Sequence, residues 1–146
     1  MSGDKAPDAG APPGRARPTP VVLVVDDDAN NRDLLARHLS KEEIRIVTAA
    51  NGGDAIAAYC RNDPAIVLLD IRMPGVDGLE FLKWLSREPA EQRAPTIVLT
   101  GNSDRGTVEA AAGLGAVGYI IKPIDGEDVR QRVRSLLANR REVHLG

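Results

Sequence analysis

Four short segments of this sequence are apolar at nearly every position, and they constrain the fold more than any other feature. They are VVLVV at 21–25, AIVLL at 65–69, TIVL at 96–99 and VGYII at 117–121. Short β-branched runs that do not alternate are typical of strands covered on both faces, as in a parallel sheet. A fifth run, IRIVT at 44–48, alternates more clearly and predicts an edge strand.

Helical patterns lie between these strands. The first helix is predicted to begin near Asp28 and the last after Asp125, and both aspartates are predicted N-caps. The other helices are expected near residues 54–60, after Gly78 and from residues 103–104 onward. Strands that alternate with helices predict a doubly wound α/β fold. Right-handed crossovers then bring the carboxyl ends of all strands to one edge, where ligands of such sheets bind.

The domain boundaries follow from composition. Residues 1–20 contain five of the ten prolines and almost no large apolar residue, which predicts a disordered leader. The folded domain is expected over residues 21–139, followed by a short tail at 140–146. Arginines of the last helix are interpreted as a solvated face with favourable charge near the helix C-terminus rather than as a nucleic-acid contact. The net charge of −2 likewise gives no sign of nucleic-acid binding.

Composition also excludes several classes of protein. The single cysteine, Cys60, rules out an internal disulfide and a multi-cysteine zinc site, and we interpret it, like Trp84, as a packing residue. No apolar run reaches the roughly 18 residues that span a bilayer, and no signal peptide is visible at the N-terminus. We therefore expect a soluble cytoplasmic protein without a membrane contact.

Five polar side chains lie at the carboxyl ends of the predicted strands. Asp26 and Asp27 follow the first strand, Asp70 the third, Thr100 ends the fourth and Lys122 follows the fifth. Three carboxylates in one place need positive charge, and Lys122 supplies only one unit. Mg²⁺ fits best as a second source, because it prefers oxygen ligands and also takes phosphate oxygens. This set suits phosphoryl transfer, in which an aspartate can form an acyl phosphate.

The sequence resembles the receiver domain of two-component response regulators, from Val21 to about Asn139. The motifs that carry the resemblance are VLVVDDD at 22–28, LLDIRMPGVDGLEFL at 68–82, IVLTG at 97–101 and YIIKPI at 119–124. It implies a flavodoxin-like fold similar to chemotaxis regulators, with five helices around a five-stranded parallel sheet of order 2-1-3-4-5. The 30-residue step from Asp70 to Thr100 and the 52-residue step to Lys122 also suit the family.

The resemblance implies a role for each residue of the acidic site. Asp70 matches the phosphoacceptor, and Asp26 and Asp27 match the pair that holds Mg²⁺, Asp27 directly and Asp26 largely through water. The backbone carbonyl of Arg72 matches a third protein ligand, beside Asp70 itself. Lys122 matches the lysine that pairs with a phosphoryl oxygen, and its bond to the next residue, proline, is expected to be cis.

Further residues match the family's switch. Thr100 matches the hydroxyl that moves onto the phosphoryl group, Gly101 the small residue beside it and Tyr119 the aromatic ring that turns inward. Arg72 and Asn102 match positions that influence the lifetime of the phosphoryl group.

The resemblance implies a signalling switch rather than a metabolic enzyme, with no reaction beyond its own phosphorylation and dephosphorylation. A sensor histidine kinase or histidine phosphotransfer protein would phosphorylate Asp70, and the surface of helix 4, strand 5 and helix 5 would then control partner binding. The chain would be a monomer or a phosphorylation-dependent dimer, either alone or as part of a longer regulator, without direct nucleic-acid contact. Two alternatives stay open: a receiver-like binding module that is never phosphorylated, and a Mg²⁺-dependent phosphohydrolase.

Overall fold

The computed structural model of the protein describes residues 19–72, 78–101 and 105–145. The strands are β1 (Val21–Val25), β2 (Arg45–Ala49), β3 (Ile66–Asp70), β4 (Thr96–Thr100) and β5 (Gly118–Ile121). The α-helices are α1 (Ala29–His38), α2 (Gly52–Asn62), α3 (Gly78–Ser86), α4 (Arg105–Gly113) and α5 (Gly126–Leu145). A short 3-10 helix, Ala90–Gln92, lies between α3 and β4.

The five strands form one sheet in the order β2-β1-β3-β4-β5, and every neighbouring pair is parallel. The predicted fold is therefore confirmed, and so is the edge position of β2. Apolar residues of α2, α3 and α4 pack against one face of the sheet, and those of α1 and α5 pack against the other.

The burial of β1 explains why its sequence does not alternate. Successive strand residues point to opposite faces, so Val22 and Val24 pack toward α1 and α5 while Leu23 and Val25 pack toward the other helices. All four side chains are at most 1% exposed. Because both faces are covered by helices, each position of the strand is apolar.

The helix ends partly follow the predictions. Asp28 caps α1, because its carboxylate accepts a hydrogen bond from the Asn30 amide at 2.9 Å. Asp125 accepts one from the Glu127 amide at 3.0 Å, at the start of α5. Helix α2 begins two residues before the predicted segment, where Asn51 provides the cap.

Two further features differ from the predictions. Helix α5 continues to Leu145 and so includes residues predicted to form a tail. Cys60 is exposed, so its interpretation as a packing residue is wrong. Trp84 does pack partly against the core. The predicted leader lies outside the described residues, apart from its last two positions.

The hydroxyl of Tyr59 joins α2 to the loop before β4. It donates to the Gln92 carbonyl at 3.0 Å and accepts from the buried Ala94 amide at 2.8 Å. We expect Tyr59→Phe to lower the free energy of unfolding by about 1–3 kcal/mol, because the buried amide loses its acceptor. Urea unfolding followed by circular dichroism measures the change. Tyr119→Phe is the control, since this tyrosine is 46% exposed, and equal effects of the two substitutions would contradict the assignment.

Candidate functional site

Three carboxylates meet at the carboxyl edge of the sheet because β1 and β3 are neighbours. Asp26 and Asp27 directly follow β1, and Asp70 is the last residue of β3. Three oxygen atoms, one from each carboxylate, all lie within 4.8 Å of one another. Asp26 and Asp70 are buried, whereas Asp27 is exposed. The cluster thus has a closed base and an open side, through which a ligand can enter.

The carboxylate of Asp26 is fully buried but only partly satisfied. Its Oδ1 atom accepts a hydrogen bond from the Asp28 amide at 2.9 Å. Its Oδ2 atom has no hydrogen-bond partner among the described residues. A buried oxygen without a donor is costly, so this atom indicates a place for a positively charged ligand.

Lys122 is the basic residue of the site. Its Nζ atom lies 3.5 Å from Asp70 Oδ1 and 3.7 Å from Asp26 Oδ2, and its side chain is 30% exposed. The Lys122 amide donates to the Thr100 carbonyl at 2.8 Å, which ties the end of β5 to the end of β4. The Lys122–Pro123 peptide bond is cis, as predicted.

The environment of Asp70 disfavours its charged form. Burial, and next the negative charge of Asp26, raise the pKa of Asp70 from 3.8 to about 6. The Lys122 ammonium and the Arg72 amide, which donates to Asp70 Oδ1 at 3.2 Å, act in the opposite direction without cancelling the rise. The site therefore disfavours the negative charge of Asp70, and Lys122 offsets only part of this effect.

The residues present fit a hard divalent cation. Three carboxylates and one ammonium leave about two negative charges, and the donors are all oxygens, as Mg²⁺ prefers. Asp26, Asp27 and Asp70 would hold the ion, and the unsatisfied Asp26 Oδ2 atom is the observation that favours it. The amide contact of Arg72 with Asp70 places residue 72 beside the cluster, where its carbonyl is the predicted further ligand.

The predicted switch residues share one cleft. Thr100, Gly101 and Tyr119 line a space of about 330 Å³ between α4 and β5, together with Arg105, Val108, Glu109 and Ile121. Thr100 is buried, and its hydroxyl contacts the Gly101 carbonyl at 3.2 Å. Tyr119 is 46% exposed, so its ring lies outward. Asn102, the second predicted lifetime residue, lies outside the described residues.

Two further contacts hold the backbone of the site, and the sequence analysis missed the first of them. Arg32 on α1 donates from its guanidinium to the Asp26 carbonyl at 2.6 Å and so holds the loop after β1. Gly78 at the start of α3 approaches the β3 backbone so closely that an added Cβ atom would lie 2.8 Å from the Asp70 carbonyl oxygen. No feature of the sequence indicates the Arg32 contact. A glycine that begins a helix next to an acidic site does indicate a close approach of the backbone.

Comparison with known proteins gives a consistent result. A family model described as "Response regulator receiver domain" matches residues 22–134. The chain is 37% identical over 115 residues to the response regulator PleD of Caulobacter vibrioides, which covers 79% of this chain and 25% of that protein. The chain spans about a quarter to a half of the length of the curated relatives it matches.

Solved structures show the same architecture. The receiver domain of NtrX from Brucella abortus superimposes with a TM-score of 0.73 at 32% identity, covering 80% of this chain and 98% of that one. A response regulator receiver domain protein from Methanospirillum hungatei has a TM-score of 0.77 at 24% identity, covering 86% and 98%. Within the described parts of the chain, no helix is long and apolar enough to cross a membrane.

Proposed function

The chain belongs to the response regulator receiver domain family, and on this premise we propose that it is a phosphorylation-dependent signalling switch whose acceptor is Asp70. The observation that carries the proposal is the meeting of three carboxylates with Lys122, whose Nζ atom lies 3.5 Å from Asp70 Oδ1. A sensor histidine kinase or a histidine phosphotransfer protein is the proposed donor. The reaction of this domain is limited to its own phosphorylation and dephosphorylation.

The proposed transfer uses residues whose positions are described above. A carboxylate oxygen of Asp70 attacks the phosphorus of a phosphohistidine, and an O–P bond forms while the P–N bond breaks and its electron pair returns to the imidazole. Lys122 offsets negative charge on the phosphoryl oxygens. Mg²⁺, held by Asp26, Asp27, Asp70 and the Arg72 carbonyl, would supply further positive charge there.

The proposed output is a change at the cleft of Thr100 and Tyr119. The Thr100 hydroxyl and the Gly101 backbone would contact the new phosphoryl group, and the exposed Tyr119 ring would turn into the cleft as Thr100 moves. The neighbouring surface of α4, β5 and α5 exposes Val117, Tyr119 and Ile121, each by 46% or more, which supports its use for partner binding. Arg72 and Asn102 would tune the phosphoryl lifetime.

We propose no direct nucleic-acid contact for this domain, which would act in the cytoplasm as a monomer or as a phosphorylation-dependent dimer. Support comes from the three arginines of α5 whose side chains the structure describes, since each has an acidic partner. Arg130 pairs with Glu127 and Arg132 with Asp128, both at 2.9 Å. Arg134 pairs with Glu42 at 2.8 Å. These guanidinium groups are therefore not a free basic surface.

Labelling with acetyl phosphate tests the proposal. We expect a phosphorylated band on a phosphate-affinity gel only when Mg²⁺ is present, because the uncompensated carboxylates otherwise repel the anionic donor. Asp70→Asn should abolish the band. Asp33→Asn, which removes an exposed carboxylate on α1, is the matched control and should leave labelling unchanged.

The outcomes separate the alternatives. No labelling of the folded wild type, combined with no response to beryllofluoride and Mg²⁺, would contradict the switch and favour a module that is never phosphorylated. Sustained turnover of an unrelated phosphate ester that depends on Asp70 would instead favour a phosphohydrolase. Labelling that persists in Asp70→Asn would place the acceptor elsewhere.

A further inference from the structure

A second cavity lies at the opposite end of the sheet from the acidic site. It has a volume of about 520 Å³, is open to solvent and is lined by α2, α3 and the segment before β4. Its wall includes Tyr59 and Trp84, whose rings meet edge to face with centroids 5.6 Å apart. Pro64 and Ala94, which precede β3 and β4, lie at its base. None of these residues takes part in the proposed phosphorylation.

The charges around this cavity are predominantly negative. Asp63, Glu88 and Glu91 line it, and Arg93 is the one basic residue among its described lining residues. Within the part of the chain that the structure describes, the side chains of these three acids have no hydrogen-bond or ion-pair partner. An aromatic wall bordered by free carboxylates suits a guanidinium group, which stacks on an indole ring and pairs with carboxylates at its edge.

The N-terminal segment of this chain enters the domain beside the cavity. Val21 begins β1, and its carbonyl accepts from the Ala65 amide at 2.7 Å, directly after the Pro64 of the cavity base. Because Val67 of β3 pairs with Thr96 of β4, Ala94 lies one strand further from Val21 than Ala65 does. Two strand spacings separate Val21 from Ala94, or about 10 Å.

The residues before β1 carry positive charge, opposite to that of the cavity, and lie close enough in sequence to reach it. The sequence GRARPTP occupies residues 14–20, with Arg17 four and Arg15 six residues before Val21. An extended chain covers about 3.3 Å per residue, so these arginines reach about 13 and 20 Å from the start of β1. We propose that Arg15 and Arg17 dock in the cavity formed by α2, α3 and the segment before β4.

Tethering favours this occupant over a separate molecule. A short linker gives the arginines an effective concentration in the millimolar range, so that weak pairing with Glu88, Glu91 or Asp63 suffices. Pro18 and Pro20 restrict the linker and reduce the entropy lost on docking. Docking would hold the N-terminal segment against the end of the domain that lies opposite Asp70.

Two residues that line the cavity can report on its occupancy without added labels. Trp84 and Cys60 are the only tryptophan and the only cysteine of the sequence, and both line the cavity. The full-length protein is compared with the double variant Arg15→Ser/Arg17→Ser by the rate at which Ellman's reagent modifies Cys60 and by acrylamide quenching of Trp84. The control is Lys5→Ser/Lys41→Ser, which removes the same charge at sites outside the arginine pair.

We expect Cys60 of the arginine variant to react about threefold faster than Cys60 of the wild type. This is the expected effect if the arginines occupy the cavity about two thirds of the time and block Cys60 while they do. Quenching of Trp84 should rise with it, and Glu88→Gln/Glu91→Gln should reproduce both changes. High salt should shift the wild type toward the variant, because it screens exposed charge pairs. Equal Cys60 rates and equal quenching in the wild type, the arginine variant and the lysine control would overturn the proposal. A response of the acidic variant alone would overturn it too, because removing carboxylates near Cys60 speeds its reaction with an anionic reagent without any docked arginine.

Discussion

Replacing Asp70 by asparagine is expected to raise the free energy of unfolding by about 1–3 kcal/mol at pH 7.5 in the absence of divalent cations. Burial and the charge of Asp26 raise the pKa of Asp70 to about 6, against 3.8 for an unperturbed group. A shift of about two units corresponds to about 3 kcal/mol between the two protonation states. Asparagine removes the charge that causes this cost while keeping the shape of the side chain.

The sign of the effect depends on pH. Below about pH 4, Asp70 is protonated in both the folded and the unfolded state, and the variant has no advantage. Between about pH 4 and 6 the unfolded state loses its proton first, so the stability of the wild type falls as pH rises through the pKa of about 6. Above that pH the full difference remains.

Urea unfolding in EDTA at pH 4.5 and pH 7.5 measures the difference. Asp33→Asn, on the exposed side of α1, should change stability by less than about 0.5 kcal/mol at either pH. Added Mg²⁺ should stabilise the wild type more than Asp70→Asn, because the variant lacks one of the three carboxylates. A variant that is less stable than the wild type at pH 7.5 would show that pairing with Lys122 outweighs the burial of the charge.

The centre of the sheet could be predicted from the sequence because β1, β3 and β4 are buried on both faces. The prediction was wrong for β5, which is an edge strand with Tyr119 and Ile121 exposed. The unbroken apolar runs at 21–25 and 96–99 identified central strands, and the alternating run before residue 49 identified the edge strand β2. The meeting of Asp26, Asp70 and Lys122 followed from the same reasoning, because parallel strands of a doubly wound sheet all end at one edge.

Contacts that depend on side-chain direction could not be predicted in this way. The bonds from the Tyr59 hydroxyl to Gln92 and Ala94 cross more than thirty residues of sequence, and nothing local to Tyr59 indicates them. The same holds for the exposed position of Cys60, which nothing in the neighbouring sequence indicates. Helix α2 begins at Gly52 although glycine is a weak helix former, because Asn51 caps it by accepting from the Asp54 amide at 2.8 Å.

Gly78→Ala is expected to lower the free energy of unfolding by about 1–3 kcal/mol, the range for forcing atoms into a filled space. An added Cβ atom would lie 2.8 Å from the Asp70 carbonyl oxygen and 2.8 Å from Ile71 Cα. Both neighbours are backbone atoms at the end of a central strand, where Ile71 also donates to the Leu99 carbonyl at 3.2 Å. They cannot move away without disturbing the sheet, so α3 must shift outward.

Gly113→Ala is the matched control. This glycine lies exposed in α4, and an added Cβ atom there would meet nothing within 4 Å. Because Gly113 is exposed and is the last residue of α4, the control should change the free energy of unfolding by no more than about 0.5 kcal/mol. Urea unfolding gives both values, and labelling with acetyl phosphate should slow in Gly78→Ala alone, since the displaced helix packs against the backbone that carries the acceptor. If Gly78→Ala unfolds like the control and labels at the wild-type rate, the close approach of α3 to Asp70 does not determine the geometry of the acceptor.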